Sequence, residues 1–167
     1  TCALPISDIT LPGDPYPGYH AMAVTACMGH GDAKIVAELP AAFDPSKILF
    51  VGLRNWERGE IKARQHQYGI KHLTPEEVAA DSDALRAWLK SCGASKVVVH
   101  FDMDVLDPAE IVAAVGTDPD GMKIEAVIRV INDIAAEKEL VGLTVAEPMP
   151  RTAIRLRDML GRLPLLE

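Results

Sequence analysis

Residues 97–108, VVVHFDMDVLDP, constrain this chain more than any other stretch. A run of β-branched and apolar residues stops abruptly at three aspartates, Asp102, Asp104 and Asp107. Continuous β-branched runs suit strands covered on both faces, so residues 97–101 read as a buried strand. Strand side chains alternate in direction, which puts Asp102 and Asp104 on one face at the strand's end. Two carboxylates held together in a partly dry site repel one another unless a cation neutralises them. A divalent metal meets that need, and hard oxygen donors favour magnesium, manganese or calcium. The chemistry of the chain is expected here.

The flanking sequence supplies the rest of an α/β chain. Residues 9–19, ITLPGDPYPGY, are turn chemistry, and residues 20–28 are expected to form a short helix that Gly29 and Gly31 break. Residues 47–53 (KILFVGL) read as a second buried strand followed by the polar loop RNWERGE, and residues 69–72 as a short strand. Thr74 and Glu77 have capping-box spacing with Pro75 between them, predicting a helix that runs to about Ser91 and stops at Gly93. Ile124, Val127, Ile128, Ile131 and Ile134 recur at three- and four-residue intervals, the apolar face of a helix over 122–137. Residues 140–145 read as a strand ending before Glu147-Pro148, and residues 153–160 as a last helix. Strands alternate with helices and no hairpin signal intervenes, so the sheet is expected to be mainly parallel. Ligands bind such sheets at the carboxyl ends of the strands. The polar clusters at 54–60, 102–107 and 147 all follow strand ends and are expected to meet on one rim.

With 49% apolar and 25% charged residues, the 167-residue chain has the make-up of a globular domain with a substantial core. A net charge of −7 argues against a nucleic-acid surface, and no apolar run approaches membrane-spanning length. Cys2, Cys27 and Cys92 are odd in number and scattered, which suits a reducing cytoplasm better than a disulfide framework. The first seven residues, TCALPIS, have no charged n-region. They also match what the common sequencing-adapter sequence ACGTGTGCTCTTCCGATCT encodes in one frame. Residues 1–7 are therefore expected to be non-native, and residues 8–167 to be the C-terminal part of a single domain.

The pattern D-x-D-x-x-D-P with the loop Val115-Gly116-Thr117 resembles the ureohydrolase family, which includes arginases and agmatinases. The resemblance extends in order through Asp8-Ile9-Thr10, Tyr19-His20-Ala21-Met22, Gly52-Leu53-Arg54 and Gly142-Leu143-Thr144-Val145-Ala146-Glu147. It implies a three-layer αβα fold with a mainly parallel sheet, incomplete here at the N-terminus. It also implies two Mn2+ ions that activate a bridging hydroxide against a planar guanidinium carbon. The substrate class is a guanidino or amidino compound, arginine- or agmatine-like, cleaved to urea or a small amide. A homo-oligomer, trimer or hexamer, is implied as well.

By the same resemblance Asp8, Asp102 and Asp104 are metal ligands. From its residues alone Asp8 is a turn aspartate, and Asp102 and Asp104 a solvated strand end. His20 matches a histidine that assists proton transfer to the leaving amine, a role suited to a near-neutral imidazole; alone it reads equally as a helix cap. Glu147 matches the carboxylate that holds the guanidinium, against a plain reading as a strand-end surface residue. Glu57 and Glu60 fall where arginases have carboxylates facing the substrate's α-amino end, though surface glutamates are common. Thr10 replaces an asparagine that many arginases use near the substrate carboxylate, and residues 11–19 lack their Ser-Gly-Asn pattern; both weaken the case for arginine itself. His100 stands where the family has serine, facing the metal region or packed in the core. Asp107 before Pro108 reads as a turn residue, and His30, His66 and His72 as surface or loop residues.

The Asp-Ala-His positions that open the family's Asp-Ala-His-x-Asp motif fall on residues 4–6 and are not matched there, and the histidine-bearing segment before it has no counterpart. The 167-residue chain alone is therefore expected to be inactive or nearly so. The alternatives are a magnesium phosphatase of the haloacid-dehalogenase type and a non-catalytic family member. The first shares two aspartates after an apolar strand, but its motif continues Gly-Thr where Val105-Leu106 stand here.

Overall fold

The computed structural model of the chain describes residues 2–3, 9–16, 18–56 and 58–166. Five strands form one sheet: β1 (Cys2–Ala3), β2 (Leu49–Val51), β3 (Lys71–Leu73), β4 (Lys96–Asp102) and β5 (Glu139–Ala146), in the order β3-β2-β1-β4-β5. The pairs β1–β2, β1–β4 and β4–β5 are parallel, as the alternation of elements predicts. The α-helices are α1 (Ala23–Cys27), α2 (Ala33–Glu38), α3 (Gly59–Tyr68), α4 (Asp83–Ser91), α5 (Ile124–Glu137) and α6 (Ala153–Leu160). The chain divides into two compact units, one holding the N-terminal strand with Phe50–Arg54 and His72–Glu167, the other residues 9–49 with Asn55–Lys71. Among the described residues no helix is long and apolar enough to cross a membrane.

In the sheet unit, α5 forms because its apolar residues share one side, and it buries Val127, Val130, Ile131 and Ile134. Helix α4 adds Leu85 and Leu89, and Arg86 reaches from it to Asp133 on α5 at 2.7 Å. Strand β4 supplies Val97, Val99 and Phe101 to the same core. Its burial alternates, however: Lys96 and Val98 are exposed. The β-branched run is thus covered on one face, not on both as its sequence suggests.

The helix expected from Thr74 to Ser91 is interrupted. The capping box forms, with Glu77 Oε2 accepting the Thr74 N–H at 2.7 Å and Thr74 Oγ1 accepting the Glu77 N–H at 3.3 Å. It starts only the 3-10 turn Glu76–Val78, and α4 begins anew at Asp83. Arg129 on α5 donates to the carbonyls of Val78, Ala79 and Asp81, oxygens that a continuous helix would use internally. Asp81 Oδ1 takes the Asp83 N–H at 3.0 Å, closing the break.

In the other unit, α2 and α3 are helices without a strong apolar stripe. Helix α2 buries none of its residues and is capped by Asp32, whose Oδ1 accepts the Lys34 N–H at 2.9 Å. Helix α3 buries only Ile61 and Gln65 and is held by polar contacts, chiefly Arg64 to Asp14 at 2.5 Å.

Candidate metal and substrate site

Strand β4 delivers Asp102 to the carboxyl edge of the sheet. The strand order turns back on itself between β1 and β4, and the ends of strands at such a switch are where open parallel sheets receive ligands. Beyond Asp102 the chain enters a single 3-10 turn, Met103–Val105, because Asp102 Oδ1 accepts the Asp104 N–H at 2.8 Å. Strand alternation therefore does not place Asp104; the turn does, since β4 ends at Asp102. The Asp104 carboxylate is fixed in turn by the Gly116 N–H, 2.8 Å from Oδ1. A Cβ on residue 116 would lie 2.5 Å from Asp104 Oδ2, so only glycine lets the loop approach this closely.

Glu147 follows β5 with a left-handed backbone, φ 60°, a conformation that costs a non-glycine residue of order 1–3 kcal/mol. Its charge acts on both aspartates. Burial foremost, then the charges of Asp104 and Glu147, push the Asp102 carboxyl up to about 6 against the pull of the Asp104 N–H. Asp104 is raised by burial as well, with Glu147 and Asp118 adding repulsion and the Gly116 N–H and Arg54 opposing it. Anionic oxygens converging at the cost of mutual repulsion are donors suited to a hard divalent cation. Among the described residues no three His, Cys, Asp or Glu side chains form a ligating group. Asp8, expected as a further ligand, lies outside the described residues, so the fit rests on the aspartate pair.

Neighbouring residues complete the edge. His100 shares the Asp102 face of β4; its Nδ1 pairs with Thr144 Oγ1 on β5 at 2.7 Å, and burial lowers its pKa. Asp107 is the turn residue its sequence suggests, with Oδ1 accepting the Ala109 N–H and Oδ2 facing Lys123 Nζ at 2.5 Å. Arg54, which follows β2, donates to the carbonyls of Asp104 (3.1 Å), Val105 (3.4 Å), Asp118 (2.7 Å) and Pro119 (2.9 Å).

The remaining expected residues fall in the other unit. His20 opens the 3-10 turn before α1, is exposed, and shares a 2.8 Å hydrogen bond between its Nε2 and Tyr16 Oη. Thr10 is buried; its hydroxyl donates to the Ala21 carbonyl at 2.8 Å and its own carbonyl accepts from Thr25 Oγ1 at 2.7 Å. Glu60 is exposed in the first turn of α3, 3.9 Å from Arg58. Glu57 lies outside the described residues. Sequence reasoning assigned no role to Arg54, Tyr16 or the Arg64–Asp14 pair, although Arg54 stood in the family motif Gly52-Leu53-Arg54 just after a buried strand.

Residues 8–158 match the arginase family. The chain belongs to the arginase family. Over 136 residues it is 26% identical to an arginase of Entamoeba histolytica, an overlap of 79% of this chain and 45% of that protein. The crystal structure of the Entamoeba histolytica enzyme in complex with L-ornithine superposes with a TM-score of 0.79 at 20% identity, over 90% of this chain and 52% of that one. Bacillus cereus arginase gives 0.82 at 19% identity, over 97% and 60%. Formimidoylglutamase from Bacillus subtilis gives 0.73 at 15%, over 90% and 45%. The chain thus spans about half the length of the relatives it matches. Membership of the arginase family sets aside the haloacid-dehalogenase alternative, and the αβα fold expected from the motifs is the fold of these neighbours.

Proposed function

We propose that the whole protein to which this chain belongs hydrolyses a C–N bond of a guanidino or amidino substrate, releasing urea or a small amide, with manganese as cofactor, and that the 167-residue chain alone has little or none of this activity. The observation that supports this best is the Asp102–Asp104 carboxylate pair at the end of β4 in an arginase-family chain. Manganese, when bound, supplies the positive charge that activates water for attack on the guanidino carbon. Asp102 and Asp104 would hold it, together with Asp8. Glu147 accepts paired N–H bonds from the planar guanidinium and orients its carbon. His20, its Nε2 held by Tyr16, passes a proton to the leaving amine. Glu57 and Glu60 meet the substrate's amino end, while Thr10, its hydroxyl committed to Ala21, shapes the loop beside it. Free cysteines at 27 and 92 suit a reducing cytoplasm as the place of this activity.

The test is release of urea or formamide from arginine, agmatine and formimidoylglutamate by the purified whole protein and by the 167-residue chain, each with Mn2+. Glu147→Gln is expected to cost about 10–100-fold in kcat/KM, the worth of a lost charged hydrogen-bond pair. Inertness of the whole protein toward all three substrates would sink the proposal, and strong turnover by the 167-residue chain would overturn the expectation that it is inactive alone.

A further inference from the structure

The guanidinium of Arg54 bridges the Asp104 turn and the loop that holds Asp104's carboxylate, beside the backbone bond from Met122 to Val105. Its Nη2 lies 3.1 Å from the Asp104 carbonyl and 2.7 Å from that of Asp118, its Nη1 3.4 Å from Val105, and its Nε 2.9 Å from Pro119. Residues 104–105 belong to the turn after β4. Residues 118–119 continue the loop that begins at Gly116, whose N–H fixes Asp104 Oδ1. A planar fork with five N–H donors can span two segments in this way; an ammonium cannot. The Arg54 side chain itself springs from a fixed base. Gly52, two residues earlier, has φ 84° and packs so closely that a Cβ there would overlap Val105 and Met122. Four carboxylates, Asp118, Asp107, Asp104 and Asp120, lie near enough to favour the guanidinium's charge against the burial that opposes it.

We propose that Arg54 is a positioning residue: it clamps turn 104–105 to loop 116–119 and so sets the orientation in which Asp104 presents its carboxylate. The proposal rests on the reading that Asp104 holds the metal, but its geometric part stands without it.

Amide exchange and Mn2+-induced line broadening, read by NMR on the 15N-labelled chain, test both parts. In Arg54→Lys the Gly116 amide is expected to exchange about 10-fold faster, while Val127, Val130 and Ile131 in α5 keep their rates. Residues 102–104 should need about 10-fold more Mn2+ for equal broadening, the lower range for losing a support of a ligand. In Arg54→Ala, millimolar methylguanidinium should restore Gly116 protection. Unchanged Gly116 exchange in a folded variant would overturn the proposal, as would equal Mn2+ dependence despite lost protection. If Mn2+ fails to broaden 102–104 in the unmodified chain, the metal reading falls and Gly116 exchange alone decides the clamp. Should both variants unfold, the Arg54 Nη protons of the unmodified chain decide: slow exchange supports the clamp, and exchange as fast as in free arginine refutes it.

Discussion

Asp104 shows how one side chain is placed by neighbours of unequal visibility. Asp102, two positions away, caps its turn through a 2.8 Å bond, where the sequence suggested strand alternation instead. Gly116 fixes the carboxylate from 12 residues away, and the sequence offered the loop Val115-Gly116-Thr117 only as a family motif, with no sign that it meets Asp104. Gly116→Ala is expected to push Asp104 Oδ2 out of place, since the added Cβ would start 2.5 Å from it. We expect Mn2+ affinity to fall about 10–100-fold by calorimetric titration, and unchanged affinity would show that Asp104 does not depend on this contact. The Tyr16–His20 bond is similar: its members are four residues apart in a Pro- and Gly-rich loop, where no periodicity announces that two rings will meet.

Elements were legible where apolar periodicity was strong. Helix α5 carries its pattern in five isoleucines and valines and appears at Ile124–Glu137. Ile131 is 1% exposed there, so Ile131→Ala should cost about 2–5 kcal/mol in denaturant unfolding; a loss under 1 kcal/mol would mean the core refills the space. Helix α3, by contrast, buries only two residues and went unread, because polar contacts such as Arg64–Asp14 support it from 50 residues away. The break before α4 is the reverse case. Its local signals favour a continuous helix, and Arg129 on another helix takes the carbonyls that continuity requires. Strand β4 was legible as a strand but not in its one-sided burial, which depends on what packs against each face.

At the scale of the molecule, the carboxylate site couples stability to metal and pH. Asp102 has its pKa raised to about 6 from an ordinary 3.8 by burial and like charge. An acid raised by folding stabilises while protonated, so its contribution is present below about pH 4 and is lost as pH rises through 6. Mn2+ requires the ionised form, so its stabilising effect grows over the same interval. Melting curves with and without Mn2+ are therefore expected to coincide near pH 4 and to separate above 6. The gap should reach about 2.7 kcal/mol when Mn2+ stands at 100 times its Kd, and parallel curves at all pH values would refute the coupling. The sequence by itself determined the alternation that makes a parallel α/β sheet, the carboxylate pair after β4 and membership of the arginase family, because those signals reside in neighbouring residues or in a fixed order of motifs. Only the tertiary structure decided the strand order β3-β2-β1-β4-β5, the hold of Gly116 on the Asp104 carboxylate and the span of Arg54 to residues as far as 65 positions away. Each of these depends on which surfaces bury one another and which backbone groups are left to bond, and that is settled only when distant segments pack.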